Sequence, residues 1–437
     1  MKIDIISLGC SKNLVDSERL TKRLENLGHK VYFEPKKPTG KVVVINTCGF
    51  IGDAKEESIN TILEAVQLKN DGVYKYVYVM GCLSERYKNE LPQEISEVDK
   101  WYGKFDWENL IQESSQWDKK SAKPRCEQTL TYDRIVSTPS HYAYLKIAEG
   151  CNRFCAFCAI PLITGRFTSR PIEEIANEVK MLVSRGVKEF NVIAQDLSSY
   201  GVDIYGEMRL PQLIETLAQI PGVEWLRLHY AYPAQFPYGV LDVMAKYPNV
   251  SKYLDIALQH SSDKVLDNMR RHFSGAQTVE LINLIREKVP GIHIRTTLMV
   301  GFPGEGEQEF QDLLQFVKDM RFERMGAFAY CEEEDTFAAN NFEDSIPDEV
   351  KQARLDELMS IQEQISLEIQ EQKVGTVQKV VIDGIEGDMY VGRTQYDSPE
   401  VDPVVLINSD TDLVIGNFYD VKITAAMPFE LIGKIAE

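Results

Sequence analysis

The sequence is poor in long apolar runs, in basic charge and in cysteine. No stretch approaches the roughly 20 apolar residues that cross a bilayer, so no membrane segment is expected. The opening Met1-Lys-Ile-Asp-Ile-Ile-Ser-Leu puts an acid inside its only apolar run, which argues against a secretory leader. Lys and Arg number 48 against 67 Asp and Glu, a net charge of −19. Such a balance argues against a broad nucleic-acid footprint, which relies on clustered cations. It leaves a basic partner or plain solubility. Eight cysteines in 437 residues are no disulfide scaffold of the short secreted kind. With no secretion signal, a reducing cytoplasm is expected, and cysteines there read as metal or catalytic ligands.

What is present is concentrated in Cys151-Asn-Arg-Phe-Cys155-Ala-Phe-Cys158, a C-x3-C-x2-C loop. A structural zinc site takes four ligands in paired units, and no fourth Cys or His lies nearby. Iron–sulfur clusters are held by Cys thiolates, commonly four, so three would leave one iron open to bind a reactant. Three further cysteines recur in register. Lys2–Ser7, Lys41–Ile45 and Tyr76–Met80 read as strands, followed by helical patterns over Asp16–Leu27 and Ala54–Lys69 and by helix signals after Cys82. Cys10, Cys48 and Cys82 each fall just past a strand, one βαβ unit apart. In an open parallel sheet those turns share one edge, where ligands bind.

Lys119–Ser140 reads as a linker. A second strand–helix alternation follows, with strands at Tyr142–Ala148, Glu189–Ala194, Glu224–Tyr230, Tyr253–Leu258, His293–Val300 and Arg324–Tyr330, suiting a partial (β/α)6 barrel. Barrel chemistry sits at the carboxyl ends of strands, and Cys151–Cys158 follows the first. At or beside the other strands stand Gln195-Asp196, Tyr230, Gln259-His260, Arg270, Arg295 and Gly301-Phe-Pro-Gly304. Pro347–Lys373 reads as a long charged helix. Gly375–Glu437 turns to short β runs, as in a small OB-like barrel. Cys126 and Cys331 belong to no three-Cys set and are read as non-ligands. The fold class is therefore α/β with three domains: an open parallel α/β domain (1–125), a linker (126–140), a partial (β/α)6 barrel (141–372) and an all-β domain (373–437).

The loop Cys151–Cys158, with Lys146-Ile-Ala-Glu-Gly150 before it and Ala159-Ile-Pro after it, resembles that of the radical SAM superfamily. The resemblance implies a 4Fe-4S cluster on Cys151, Cys155 and Cys158, whose open iron chelates S-adenosylmethionine and cleaves it to a 5′-deoxyadenosyl radical. Over nearly the whole chain, the order of an N-terminal three-Cys domain, a radical SAM barrel and a TRAM domain resembles the methylthiotransferase family. That likeness implies a second, auxiliary 4Fe-4S cluster on Cys10, Cys48 and Cys82 that takes part in sulfur delivery. S-adenosylmethionine is then both methyl donor and radical source. Phe157, Gln195, Tyr230, Gln259, Arg270, Arg295 and Gly301 are the candidate cofactor contacts, with Phe154 and Phe157 lining the cluster loop and adenine slot.

Gly9-Cys-Ser-Lys-Asn-Leu-Val-Asp-Ser-Glu18, Asn46-Thr-Cys-Gly-Phe-Ile51, Gly81-Cys-Leu-Ser-Glu-Arg-Tyr87, Gln195-Asp-Leu-Ser-Ser-Tyr-Gly201 and Tyr253-Leu-Asp-Ile-Ala-Leu-Gln-His260 resemble the branch that modifies an aspartate β-carbon of ribosomal protein uS12. The other branch modifies adenosine in tRNA. From Gly375 onward four basic residues face eleven acidic ones, net −7, where a tRNA-binding domain should be basic. An acidic domain suits a positively charged ribosomal protein through complementary fields. The expected partners are uS12 or the small ribosomal subunit and an electron-donor protein, and the enzyme is expected to be monomeric and cytoplasmic. The competing readings are a tRNA-adenosine methylthiotransferase and a non-catalytic acidic ribosome-assembly factor. The chain departs from the family pattern at Thr164, where Arg is usual, at Ala257, where Pro is usual, and at Cys331, where Ser is common.

Overall fold

The computed structural model describes residues 1–115, 117 and 132–436. Two compact units emerge. The first comprises Met1–Ser137 with the short segments Glu149–Asn152 and Ala159–Phe167; the second holds Thr138–Ala148, Arg153–Cys158 and everything from Thr168.

In the first unit, β1 (Lys2–Ser7), β2 (Lys30–Phe33), β3 (Val42–Thr47), β4 (Tyr76–Gly81) and β5 (Lys100–Trp101) form a parallel sheet in the order β2-β1-β3-β4-β5. Alternation along the strands sends Val43, Ile45, Val77 and Val79 to one apolar core and Ile3, Ile5, Val42, Val44 and Met80 to another. Both faces are thus covered, as a parallel sheet requires. Expected β1, β3 and β4 are present within two residues, whereas the edge strands β2 and β5 were not anticipated; four and two residues carry little periodicity. The first helix starts at Ser11 rather than Asp16, because Cys10 occupies its N-cap. Arg134 and Ser137, within the stretch read as a linker, are anchored: Arg134 is buried on Glu18, and Ser137 donates from its N–H and its hydroxyl to the same carboxylate at 2.7 Å.

The second unit begins with β6 (Tyr142–Lys146). Two-residue strands β7 (Ala148–Glu149) and β8 (Thr168–Ser169) flank the Cys151–Cys158 loop in sequence. Then come β9 (Glu189–Ile193), β10 (Trp225–Ala231), β11 (Val250–Ile256), β12 (His293–Val300) and β13 (Arg324–Ala329). The six long strands make a parallel sheet in strict chain order, β6-β9-β10-β11-β12-β13, the partial barrel expected. Alternation divides its faces sharply. Phe190, Val192, Leu226, Leu228, Leu254, Ile256 and Ile294 point one way and are buried. Glu189, Asn191, Arg227, His229, Tyr253, Asp255, Arg295 and Arg324 point the other way.

After the helix Asp348–Glu371, strands β14 (Val377–Glu386), β15 (Met389–Thr394), β16 (Val404–Asn408), β17 (Phe418–Ala426) and β18 (Glu430–Ile435) close into a five-stranded barrel, as anticipated. This barrel belongs to the same compact unit as the six-stranded sheet, and residues 393–402 show why. Arg393 donates to Glu189 at 2.9 and 3.0 Å, Asp397 accepts from Arg324 at 2.5 Å, and Asp402 accepts from Arg295 at 2.5 Å. Tyr396 stacks on His293 at 4.1 Å, and Arg227 donates to the Gln395 carbonyl at 2.6 Å. The polar face is therefore sealed at the amino ends of its strands by the C-terminal barrel.

Candidate functional site

In the first unit the three cysteines sit where the βα turns share an edge. Cys10 caps the helix after β1, Cys48 directly follows β3, and Cys82 starts the helix after β4. Each has a glycine neighbour that lets the turns touch. Gly9 (φ +87°) leaves no room for a side chain, since a Cβ there would lie 2.7 Å from the Cys48 sulfur. Gly81 (φ +104°) abuts Asn46 and Thr47, with 2.4 Å to the Asn46 Oδ1. Asn13 ties all three turns: its Nδ2 donates to the carbonyls of Leu8 (3.0 Å) and Thr47 (2.9 Å), and its Oδ1 accepts from Cys82 Sγ (3.7 Å). Ser58 holds the Cys48 backbone from both sides, accepting from its N–H and donating to its carbonyl.

The electrostatics of these thiols differ. Burial pushes Cys82 up to about 12, against the pull of Lys104, while negative charge on Cys10 and Cys48 pushes the same way as burial. Cys48 is raised mainly by desolvation. For Cys10, desolvation is outweighed by Lys12, the Asn13 N–H and Lys104, and the net shift is downward. Charge on Cys10 raises Cys48 and, with charge on Cys48, raises Cys82, and metal binding requires thiols such as these to lose their protons. Among the described residues no three ligating side chains close around a single ion. The donor type, cysteine sulfur from three turns that share one edge, is the one that iron–sulfur clusters take. Lys104, buried beside Asp16 (3.2 Å) and Glu149 (3.7 Å), places positive charge near Cys10 and Cys82. Neither Asn13 nor Lys104 was singled out from the sequence; Asn13 lay inside a quoted motif, whereas no local signal marks Lys104.

The Cys151–Cys158 loop contributes to both units. Cys151, in the first, is buried and its N–H donates to the Gly165 carbonyl at 3.2 Å. Gly150 (φ +79°) admits no Cβ against the Arg166 carbonyl. In the second unit, Cys155 is buried with Tyr232, Leu266 and Phe273, and half-buried Cys158 lies beside them. Phe157 joins this group and also meets Phe302 edge-on at 6.3 Å, an apolar wall of the kind expected for an adenine slot. Arg271 donates to Cys155 Sγ at 3.1 Å.

The other predicted contacts divide. Tyr230 breaks the register of β10 in a bulge, with φ +63°, and is partly exposed. Gln259 (φ +73°) follows β11, and its buried Oε1 lacks a hydrogen-bond partner among the described residues. Arg270 (φ +57°) is exposed and rests over the Phe337 ring at 4.4 Å. Gln195 lies half-buried beyond β9, next to Asp196, which holds Arg153 at 2.6 Å. Six of the ten left-handed non-glycine residues described (Phe154, Tyr230, Gln235, Gln259, Arg270 and His272) lie in the cluster loop, near the end of β10, or after β10 and β11. Such conformations persist only where surrounding structure over-determines them, and they gather at functional sites.

Two expectations need correction. Arg295 lies five residues, about 16 Å, before the end of β12 and is ion-paired with Asp402, away from the carboxyl edge. Gly301 does admit a close approach, but what approaches is the Lys351 stem, 2.4 Å from where a Cβ would stand. His260, read as scaffold, is buried between Glu305 (3.2 Å) and the Ser262 N–H (3.0 Å). Cys331 is exposed, and Cys126 lies outside the described residues.

The profile of the Radical SAM superfamily matches residues 145–317, that of the Uncharacterized protein family UPF0004 residues 2–103, and that of the TRAM domain residues 374–436. The chain is 60% identical to the ribosomal protein uS12 methylthiotransferase RimO of Phocaeicola vulgatus and 59% identical to that of Bacteroides fragilis, with 99% of each chain covered. The solved radical S-adenosylmethionine methyltransferase TsrM from Kitasatospora setae superposes with TM-score 0.58 over 88% of this chain and 79% of that one, at 14% identity, a likeness of fold alone.

Proposed function

The chain belongs to the RimO family of ribosomal protein uS12 methylthiotransferases, and we propose that it installs a methylthio group on the β-carbon of a uS12 aspartate. It is a radical SAM enzyme and takes a 4Fe-4S cluster and S-adenosylmethionine. Cys151, Cys155 and Cys158 would hold that cluster, and Cys10, Cys48 and Cys82 a second. When bound, these groups supply one-electron cleavage of S-adenosylmethionine, a methyl group and a site for the transferred sulfur.

The chain's own residues orient and select. The orphaned Oε1 of Gln259 accepts a donor from the sulfonium nucleoside, and Arg270 offers a guanidinium for its carboxylate. Phe157 supplies an apolar wall, and Tyr230, lifted out of β10 by the bulge, presents its ring to incoming substrate. The C-terminal barrel spends Asp383, Asp397 and Asp402 on Arg393, Arg324 and Arg295. Its outward remainder still carries exposed Glu386, Asp388, Asp410, Asp412 and Asp420 against Lys379, Lys422 and Lys434. That surface favours a basic protein, uS12 alone or in the small subunit, over tRNA. No helix among the described residues is long and apolar enough to cross a membrane. A cytoplasmic monomer served by an electron-donor protein completes the proposal.

The observation that carries it is the trio of glycine-flanked cysteine turns, a second set of thiols in a chain that also carries the radical SAM sheet. Anaerobic reconstitution with S-adenosylmethionine, reductant and either a uS12 loop peptide or tRNA tests it. About eight irons per chain are expected. Cys151→Ala should abolish deoxyadenosine release, whereas Cys48→Ala should keep release and lose sulfur insertion. Methylthiolated tRNA beside unmodified peptide would overturn the substrate assignment; normal sulfur insertion by Cys48→Ala would overturn the second cluster.

A further inference from the structure

Among the described residues six arginines have less than a tenth of their surface exposed: Arg134, Arg227, Arg271, Arg324, Arg354 and Arg393. Five of them reach a carboxylate, respectively Glu18, Glu189, Asp397, Glu305 and, for Arg393, both Glu189 and Asp383. Arg271, 3% exposed, reaches none among the described residues. A buried guanidinium without a counter-ion is strongly disfavoured, so one must be supplied. The sulfur of Cys155 lies 3.1 Å from its Nη1.

The surroundings hold this geometry. The Arg271 guanidinium lies over the Tyr232 ring at 4.3 Å, and Arg153 covers the same ring at 4.2 Å. Arg153 is neutralised by Asp196, so only Arg271 has charge to spare. Tyr232 donates its hydroxyl back to the Arg271 carbonyl at 2.8 Å, and Arg271 Nη2 donates to the Ala257 carbonyl. On either side of Arg271 the chain is left-handed, φ +57° at Arg270 and +60° at His272, a doubled bend around this one residue. Its Nε has no partner among the described residues.

We propose that Arg271 is the built-in counter-charge of the cluster held through Cys155, a positioning residue that raises the cluster's one-electron reduction potential. The inference rests on assigning Cys151, Cys155 and Cys158 to that cluster. Reduction adds one electron, from a low-potential protein donor or from dithionite, to an anionic group held by thiolates. A fixed cation donating a hydrogen bond to one ligand sulfur stabilises the reduced form more than the oxidised form. The residue thus acts through Cys155.

The test uses the full chain with Cys48→Ala, so that one cluster reports, reconstituted anaerobically and titrated with dithionite under electron paramagnetic resonance. Arg271→Gln should keep the parent's iron content while the midpoint potential falls by about 60 mV or more, a tenfold loss of reduced cluster at fixed solution potential. Arg271→Lys, which keeps charge without the fork, should fall less. Cluster uptake by Arg271→Lys but not by Arg271→Gln would equally support the counter-charge. An unchanged potential in Arg271→Gln overturns the proposal, as do equal falls in both variants or loss of cluster from both. A parent with no cluster on the Cys151 set overturns the site assignment first and this inference with it.

Discussion

At Gly81 the backbone is left-handed and a methyl group would strike Asn46 and the Thr47 backbone. Gly81→Ala combines an unfavourable φ with a clash against main chain, and should destabilise the first unit by about 2–3 kcal/mol. Because the turn carries Cys82, the same variant should lose iron from the Cys10, Cys48 and Cys82 set while sparing the other; thermal melting and iron counts check both. The ligand role of all six cysteines rests on spacing and family resemblance together and stands as a proposal, whereas the places of Cys10, Cys48 and Cys82 just past their strands were legible from the strand–helix pattern. Arg271 was not, although it adjoins Arg270, which was chosen. What matters in Arg271 is a missing carboxylate and a sulfur 116 residues away, neither of which one sequence displays. Arg295 was misplaced for the same reason: polarity within a strand is visible, but its partner Asp402 is not.

Among the elements, β10 shows how a strand can be bent to serve a site. Its Trp-Leu-Arg-Leu-His-Tyr-Ala run shifts register against β11 between Leu226 and Leu228 and again between Leu228 and Ala231, and within the second shift Tyr230 turns left-handed. A bulge of this sort re-aims one side chain and is found beside active sites. Tyr230→Gly relieves the backbone strain, which offsets much of the lost packing, so melting should change by no more than about 1 kcal/mol. The KM for S-adenosylmethionine or for the uS12 peptide should rise at least several-fold. A variant that melts early with unchanged KM would make Tyr230 a packing residue only. Most long strands and helices were legible to within a few residues, since periodicity fixes them. The bulge was not, because it depends on how β10 meets β11.

For the whole molecule, the second unit depends on buried ion pairs between the six-stranded sheet and the C-terminal barrel. Glu189, with both Arg227 and Arg393 on it, is the junction's centre. Glu189→Gln leaves two guanidinium groups short of charge and should cost about 3–5 kcal/mol. Hydrogen exchange should show β14–β18 opening before the first unit. Glu189, Asp383 and Asp397 are all held below their ordinary values of 4.5, 3.8 and 3.8; burial pushes each up, but Arg393 for the first two and Arg324 for Asp397 outweigh it. Carboxyls lowered in this way contribute stability fully above those values and lose it as pH falls through the folded ones. The junction should therefore loosen below about pH 4, and remain closed on titration from there to neutrality. A small β domain was legible from its strands; that three of its acids face inward was not, so the net charge of −7 overstates what the surface shows a partner.

The stopper at residues 393–402 also dictates traffic. With Glu189, Arg295 and Arg324 tied to the barrel, the amino ends of β9, β12 and β13 are closed to reactants. The sheet's polar face is left to be reached from the other end, where Gln259 and Arg270 follow β11. The barrel therefore acts on the site without touching it, by deciding from which end the sheet can be approached.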